Sequence, residues 1–179
     1  MIKFIIRVML FVFFCNVSYA MTFPVDVENC QIKKGRIVLT GWYNERRSYG
    51  KHRALDIPAS VGTPVKAVVA GKVIEKGFEY RTNKKQQCFG NYVVIQDAAG
   101  KRWYYAHLHS YDVKLNEIIA EGQVIGQVGY TGLPRPAAHL HIECRDINNN
   151  KIPFTVELGR AVKPYIPDQY TKYAFTLRR

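Results

Sequence analysis

The segment Gly62-Thr63-Pro64-Val65-Lys66-Ala67-Val68-Val69-Ala70-Gly71-Lys72-Val73 decides the class of fold. Its apolar pieces are short and broken by glycine and proline before a helical turn can propagate. Its valines favour extended backbone. The same design recurs in Glu121-Gly122-Gln123-Val124-Ile125-Gly126-Gln127-Val128. Two copies are too few for a solenoid, which needs more neighbours to bury a continuous core. The pattern therefore predicts a single sandwich that folds over on itself at glycine corners.

Outward from these segments the rest of the chain reads the same way. Predicted strands are Arg36 to Leu39, Pro64 to Ala67, Gly71 to Lys76, Asn91 to Gln96, Arg102 to Leu108, Val124 to Val128 and His139 to Cys144. Ala70-Gly71, Ala99-Gly100 and Glu121-Gly122 mark tight turns. Helical periodicity is scarce. The expectation is an all-β protein, a compact antiparallel β-sandwich of the barrel-sandwich hybrid kind.

The 179 residues, 47% hydrophobic and 22% charged, suffice for one domain with a real core and exclude a disordered chain. Residues 1–20 read as a signal peptide. Lys3 and Arg7 form a basic start, Val8 to Phe14 an apolar run, and Ser18-Tyr19-Ala20 a small-residue cleavage site. A membrane anchor needs ~20 apolar residues, and Arg7, Asn16 and Ser18 interrupt this one. Phe13 and Phe14 before Cys15 are too bulky for the usual lipidation site. Residues 21–38 are then an N-terminal arm, 39–147 the core and 148–179 a C-terminal extension. The expected location is outside the cytoplasm, periplasmic or secreted, with no membrane span after cleavage and a monomeric state.

The formal net charge of +12 attracts polyanions. A nucleic-acid-binding role is not expected, because no stacking motif is present and no basic stripe extends beyond Lys84-Lys85. Three cysteines follow the leader. Cys144 alternates with Ile142 and is expected in the core, leaving Cys30 and Cys88 as the better disulfide pair, with three free thiols as the alternative.

The chemistry sits in the histidines. His107-Leu108-His109 and His139-Leu140-His141 have i, i+2 spacing, and His52 precedes Asp56 by four residues. Along a strand, residues two or four apart share a face, so each cluster can converge on a point. Neutral imidazoles and a carboxylate suit zinc. Spacing predicts a metal site but leaves open which members hold the ion. No His-Glu-x-x-His helix and no Gly-x-Ser-x-Gly elbow is present, which excludes a thermolysin-like base and a serine triad on that elbow. Cys144 lies near His141 in sequence but alternates away from it.

From about Leu39 to Glu143 a series of blocks appears in order. Gly41-Trp42-Tyr43 leads into His52-Arg53-Ala54-Leu55-Asp56 and Gly62-Thr63-Pro64-Val65. Gly90-Asn91-Tyr92-Val93, Tyr105-Ala106-His107-Leu108 and Gly122-Gln123-Val124-Ile125-Gly126 follow. Gly129-Tyr130-Thr131-Gly132 and His139-Leu140-His141-Ile142-Glu143 close the series. In these the chain resembles the lysostaphin-type M23 metallopeptidases.

The resemblance implies a duplicated-hybrid-motif peptidase core over 39–147 and an endopeptidase acting on peptidoglycan peptide. It implies one Zn2+ per chain held by His52, Asp56 and His141, with zinc-bound water as the nucleophile. It makes His107 and His139 the catalytic histidines, with no counterpart for His109. On the same strand face, Glu143 can orient a ligand histidine or face solvent. Ala54, Tyr130 and the stretch 134–138 depart from the family pattern without touching an expected ligand. The competing reading is a catalytically silent module of the same fold or an amidase activator. Against it stand the five retained groups. Glycine bridges and D-alanine–diaminopimelate links both lie within the family's range. The aromatics Trp42, Tyr43, Trp103, Tyr104 and Tyr105 are expected mostly in the core, with one or two against substrate.

Overall fold

The computed structural model describes residues 21–33, 36–47, 50–80, 88–132, 137–154 and 163–165. The predicted signal peptide and most of the segment after 154 lie outside them. A 3-10 turn at Val27–Asn29 precedes the strands β1 (Ile32–Lys33), β2 (Arg36–Val38), β3 (Glu45–Arg47), β4 (Gly50–His52) and β5 (Leu55–Pro58). Next come β6 (Pro64–Lys66), β7 (Gly71–Glu79), β8 (Gly90–Gln96), β9 (Arg102–Leu108) and β10 (Ser110–Tyr111). The last are β11 (Ile118–Ile119), β12 (Val124–Gln127), β13 (His139–Arg145), β14 (Lys151–Ile152) and β15 (Lys163–Tyr165). The fold is all-β as expected. All seven predicted strands are present, and the eight others are two to four residues long, too short for alternation to reveal.

The largest sheet runs β11-β7-β8-β9-β13-β14. Its edge is shared: β13 pairs with β9 on one side, while β5 and β14 divide its other side. A smaller sheet runs β10-β12-β6, and β3 and β4 form a separate hairpin. The two segments that share a sequence design lie side by side in the smaller sheet, β6 antiparallel to β12. Each supplies a glycine in left-handed backbone, Gly62 at φ 87 and Gly122 at φ 77, a conformation that a side chain would oppose. Gly62 N–H donates to Val128 O and Gly122 N–H to Ala67 O, closing the corner at either end.

One core fills the space between these sheets. Val65, Ala67, Ile125 and Val128 come from the side of the smaller sheet and meet Val73, Val93, Ile95, Trp103, Tyr105, Leu140 and Ile142 of the larger one. Burial of such side chains contributes roughly 1.5–3 kcal/mol each before conformational entropy is subtracted. The Tyr105 hydroxyl, wholly buried, accepts the Val68 N–H at 2.9 Å, so its polar end is satisfied. Val25 of the N-terminal segment is buried in the same core. Phe154 stacks edge-on to Trp103 at 5.2 Å.

The disulfide expectation is corrected. Cys30, Cys88 and Cys144 are all free thiols. The Cys30 thiol turns back to Asp26 O at 3.5 Å, within its own turn. The Cys88 thiol is buried against Gly132 O, so the two face different parts of the fold. Cys144 belongs to the core as predicted. Among the described residues no helix is long and apolar enough to cross a membrane.

Candidate metal centre

Strand β13 carries the centre. Alternation sends Leu140, Ile142 and Cys144 into the core and leaves His139, His141 and Glu143 on the opposite face. Asp56 of β5 stands directly opposite His141 in the antiparallel register. The His141 Nδ1 lies 2.8 Å from Asp56 Oδ1. His52 Nε2 lies 3.3 Å from the same oxygen.

His52 and Asp56 do not meet as neighbours along one strand. β4 ends at His52 and β5 starts at Leu55, and the strands belong to different sheets. The chain bends through Arg53 and the buried Ala54. Gly41 bridges to Asp56 on one side, and Asn44 N–H donates to His52 O on the other. The spacing was informative, but the physical cause is a bend between two hydrogen-bonded strands.

His52, Asp56 and His141 offer three ligand atoms within 4.8 Å of one another, all from buried residues. The histidine tautomers suit a cation. His52 Nδ1–H donates to Trp42 O at 3.3 Å, which leaves the Nε2 lone pair facing Asp56. Among the described residues that buried Nε2 has no hydrogen-bond partner, and an unmatched buried nitrogen costs stability unless something occupies the space before it. On His141 the Nε2 faces Glu143 Oε2 at 3.5 Å, so Nδ1 is the nitrogen turned to the cluster.

Glu143 is wholly buried and carries its charge there. Arg145 reaches its Oε1 at 2.5 Å and Lys151 its Oε2 at 2.5 Å. Burial pushes the Glu143 carboxyl up, but bonding to His141 and Lys151 and their charges bring it down to about 2. Asp56 follows the same logic. Burial opposes ionisation, but the facing imidazoles of His141 and His52 hold its carboxyl well below the ordinary range.

His139 and His107 flank the cluster. His139 Nδ1–H donates to Ala137 O at 2.8 Å, and its Nε2 stands 3.9 Å from Asp56 Oδ1. His107 Nδ1–H donates to Thr131 O at 2.9 Å. Their ring centroids are 4.9 Å apart, and His107 is 5.5 Å from His141. His107 reaches this face through an irregularity. In a straight β9 it would follow Trp103 and Tyr105 into the core. The register between β8 and β9 shifts between Asn91 and Val93, and His107 takes φ 61. The extra residue turns the side chain to the other face. His109 is exposed, and among the described residues its hydrogen bonds run through its backbone.

Three participants were given no role by the sequence, although Thr131 stands within the Gly129-Tyr130-Thr131-Gly132 block. Thr131 accepts from His107, and its Oγ1 both accepts the Asn91 N–H and donates to Leu108 O. Phe89 packs against His141 and Tyr104 at 6.0 and 5.6 Å. Arg47 Nη2 lies 2.8 Å from Asp56 Oδ2. Of the five aromatics expected around the motif strands, Trp42, Trp103 and Tyr105 are in the core. Tyr104 lies on the face of Glu143, under the Arg145 guanidinium at 4.1 Å.

Residues 50–154 match the sequence model described as Peptidase family M23. Lysostaphin of Staphylococcus simulans is 36% identical over 94 residues, covering 52% of this chain and 18% of that protein. The peptidoglycan DD-endopeptidase ShyC of Vibrio cholerae is 39% identical over 110 residues, covering 62% of this chain and 24% of that protein. This chain thus matches less than a quarter of the length of these relatives. Among solved structures, the catalytic domain of lysostaphin superposes with a TM-score of 0.50 at 32% identity, over 66% of this chain and 81% of that one. A zinc-containing peptidase from Vibrio cholerae gives a TM-score of 0.56 at 28% identity, over 74% of this chain and 38% of that one.

Proposed function

The chain belongs to peptidase family M23, and on that premise we propose that it is a zinc-dependent endopeptidase cleaving the peptide cross-links or stems of bacterial peptidoglycan. The observation that carries this reading is the buried convergence of His52, Asp56 and His141 beside two more histidines with backbone-fixed tautomers. His52 Nε2, Asp56 Oδ1 and His141 Nδ1 would hold the ion. When bound, zinc supplies a Lewis acid and lowers the pKa of water from about 15.7 to ~7.

The proton chemistry falls to the protein. With Nδ1–H committed to Ala137 O, His139 presents the Nε2 lone pair beside the cluster. It takes the proton of the attacking water and returns one to the leaving amine. Burial, then the charges of His141 and His139, pull His107 down to about 3. Neutral and donating through Nδ1 to Thr131 O, it offers a lone pair at Nε2. That arrangement suits orienting the water or sharing its proton better than donating to an oxyanion. Glu143 holds the ring of His141 from behind.

Peptidoglycan as substrate rests on the relatives, one of which is named a peptidoglycan DD-endopeptidase. The chain's basic charge, +12 with residues 1–20 included, complements the carboxylates of peptide stems, and the leader-like residues 1–20 fit a periplasmic or secreted enzyme. Purified protein incubated with sacculi tests the proposal. New amine groups should appear, stop with chelator and return with zinc. Mass spectrometry of defined muropeptides then identifies the bond. Zinc-loaded protein that releases nothing would leave the binding-module reading in its place.

A further inference from the structure

We propose that Arg47 is a positioning residue of the metal centre, holding Asp56 Oδ2 so that the carboxylate presents Oδ1 alone to the ion. This rests on the metal-site reading above. The two oxygens of Asp56 have separate partners. His52 Nε2 and His141 Nδ1 both face Oδ1, at 3.3 and 2.8 Å. Arg47 Nη2 sits on Oδ2 at 2.8 Å.

The clamp is itself anchored. Arg47 Nε donates to Glu45 Oε2 at 2.9 Å, and Nη2 also reaches Thr40 O at 3.4 Å. Thr40 N–H donates to Asp56 O and Asp56 N–H to Gly41 O, so the acid and its clamp are fastened to the same backbone. Gly41 marks where they meet. A Cβ there would run into both Arg47 Nη2 and Asp56 Oδ2. Glu45 pairs with His52 across the β3–β4 hairpin, and Arg47, two residues on, shares its face. One hairpin therefore delivers a ligand candidate and the clamp together.

A carboxylate with both oxygens free can bind an ion through both. A catalytic site needs an open position for water. Arg47 is charged at every accessible pH and its side chain is 24% exposed against 6% for Asp56. Engaging Oδ2 fixes the carboxylate rotation and draws charge away from it. The ion then keeps its open position and remains the stronger Lewis acid.

Cobalt substitution of the full chain reads the coordination directly. Wild type should show the intense visible absorption of a four-coordinate Co2+ site. Arg47→Met should retain cobalt and its near-UV circular dichroism but lose much of that intensity, as the freed oxygen adds a fifth ligand. Arg47→Lys should restore most of it. An unchanged spectrum for folded Arg47→Met, or loss of cobalt from that folded variant, would overturn the proposal. If Arg47→Met does not fold, Glu45→Gln, which loosens the clamp without touching Asp56, decides by a partial loss or none. Wild type that binds neither cobalt nor zinc would instead sink the metal reading itself.

Discussion

The rings of His107 and His139 stand 4.9 Å apart across the site, although β9 must break its alternation to bring them together. His139 is on its face by simple strand geometry. His107 arrives through left-handed backbone at φ 61, which costs an L-residue about 1–2 kcal/mol. The cost falls on a residue assigned to proton transfer, as expected where function over-determines a conformation.

Replacing His107 separates strain from chemistry. His107→Ala and His107→Gly should both lower turnover by roughly 10²–10⁴-fold. Glycine tolerates the backbone and alanine does not, so the glycine variant should be the more stable of the two by about 1 kcal/mol. Thermal melts of the pair are the measurement, and equal midpoints would remove the strain argument.

The division between holding the ion and moving protons is tested on β13. His141→Ala should lose the metal. His139→Ala should keep it and lose activity by roughly 10²–10⁴-fold. Metal analysis after dialysis, run beside the sacculus assay, distinguishes them. Loss of zinc from both variants would contradict the roles assigned to the pair.

Removing the metal should expose an opposed pair of titrations. On His141 burial acts to lower the pKa, but bonds to Asp56 and Glu143 and their charges carry it up to about 9. Its folded pKa lies above the ordinary value of about 6.5. That stabilisation is full below about 6.5 and fades as pH rises through about 9. His107, held down to about 3 by burial and by the charges of His141 and His139, behaves oppositely. Its contribution is full above about 6.5 and is lost as pH falls toward about 3. Chelated protein should therefore melt highest near pH ~6.5 and lower on either side. Zinc affinity should climb from there toward pH 9 as the ion displaces the His141 proton. A flat melting profile between these limits would sink the assignment.

Glu143→Gln should weaken zinc binding about 10–100-fold, through the loss of the charge behind His141. Its cost to the fold should be about 1–3 kcal/mol, less than the 3–5 kcal/mol typical of breaking a fully buried pair. Arg145 and Lys151 keep 17% and 31% of their side-chain surface in water and can turn outward. Chelator competition and urea melts measure the two effects. Unchanged affinity would reduce Glu143 to a packing role.

Much of this protein is legible in one dimension. Glycine-cornered valine runs dictated an all-β fold, because glycine and proline break them before a helical turn can propagate and valine favours extended backbone. The alternation His139-Leu140-His141-Ile142-Glu143 alone put three polar groups on one face of β13 and two apolar ones in the core. What only the tertiary structure decided depends on contacts between distant segments. The β9 bulge carries His107 out of the core, although straight alternation would have buried it beside Tyr105. The bend between β4 and β5 joins His52 to Asp56, where alternation along one continuous strand is what the spacing by itself implies. Arg47 and Thr131 become partners of Asp56 and His107 only once their strands and turns are packed. Cys30 and Cys88, likewise, are seen to face different neighbours only in the folded chain. Local periodicity fixes which way a side chain points along a regular strand. Where strands break, bulge or meet, direction is set by hydrogen bonds to residues far away in the sequence, and no local pattern records them.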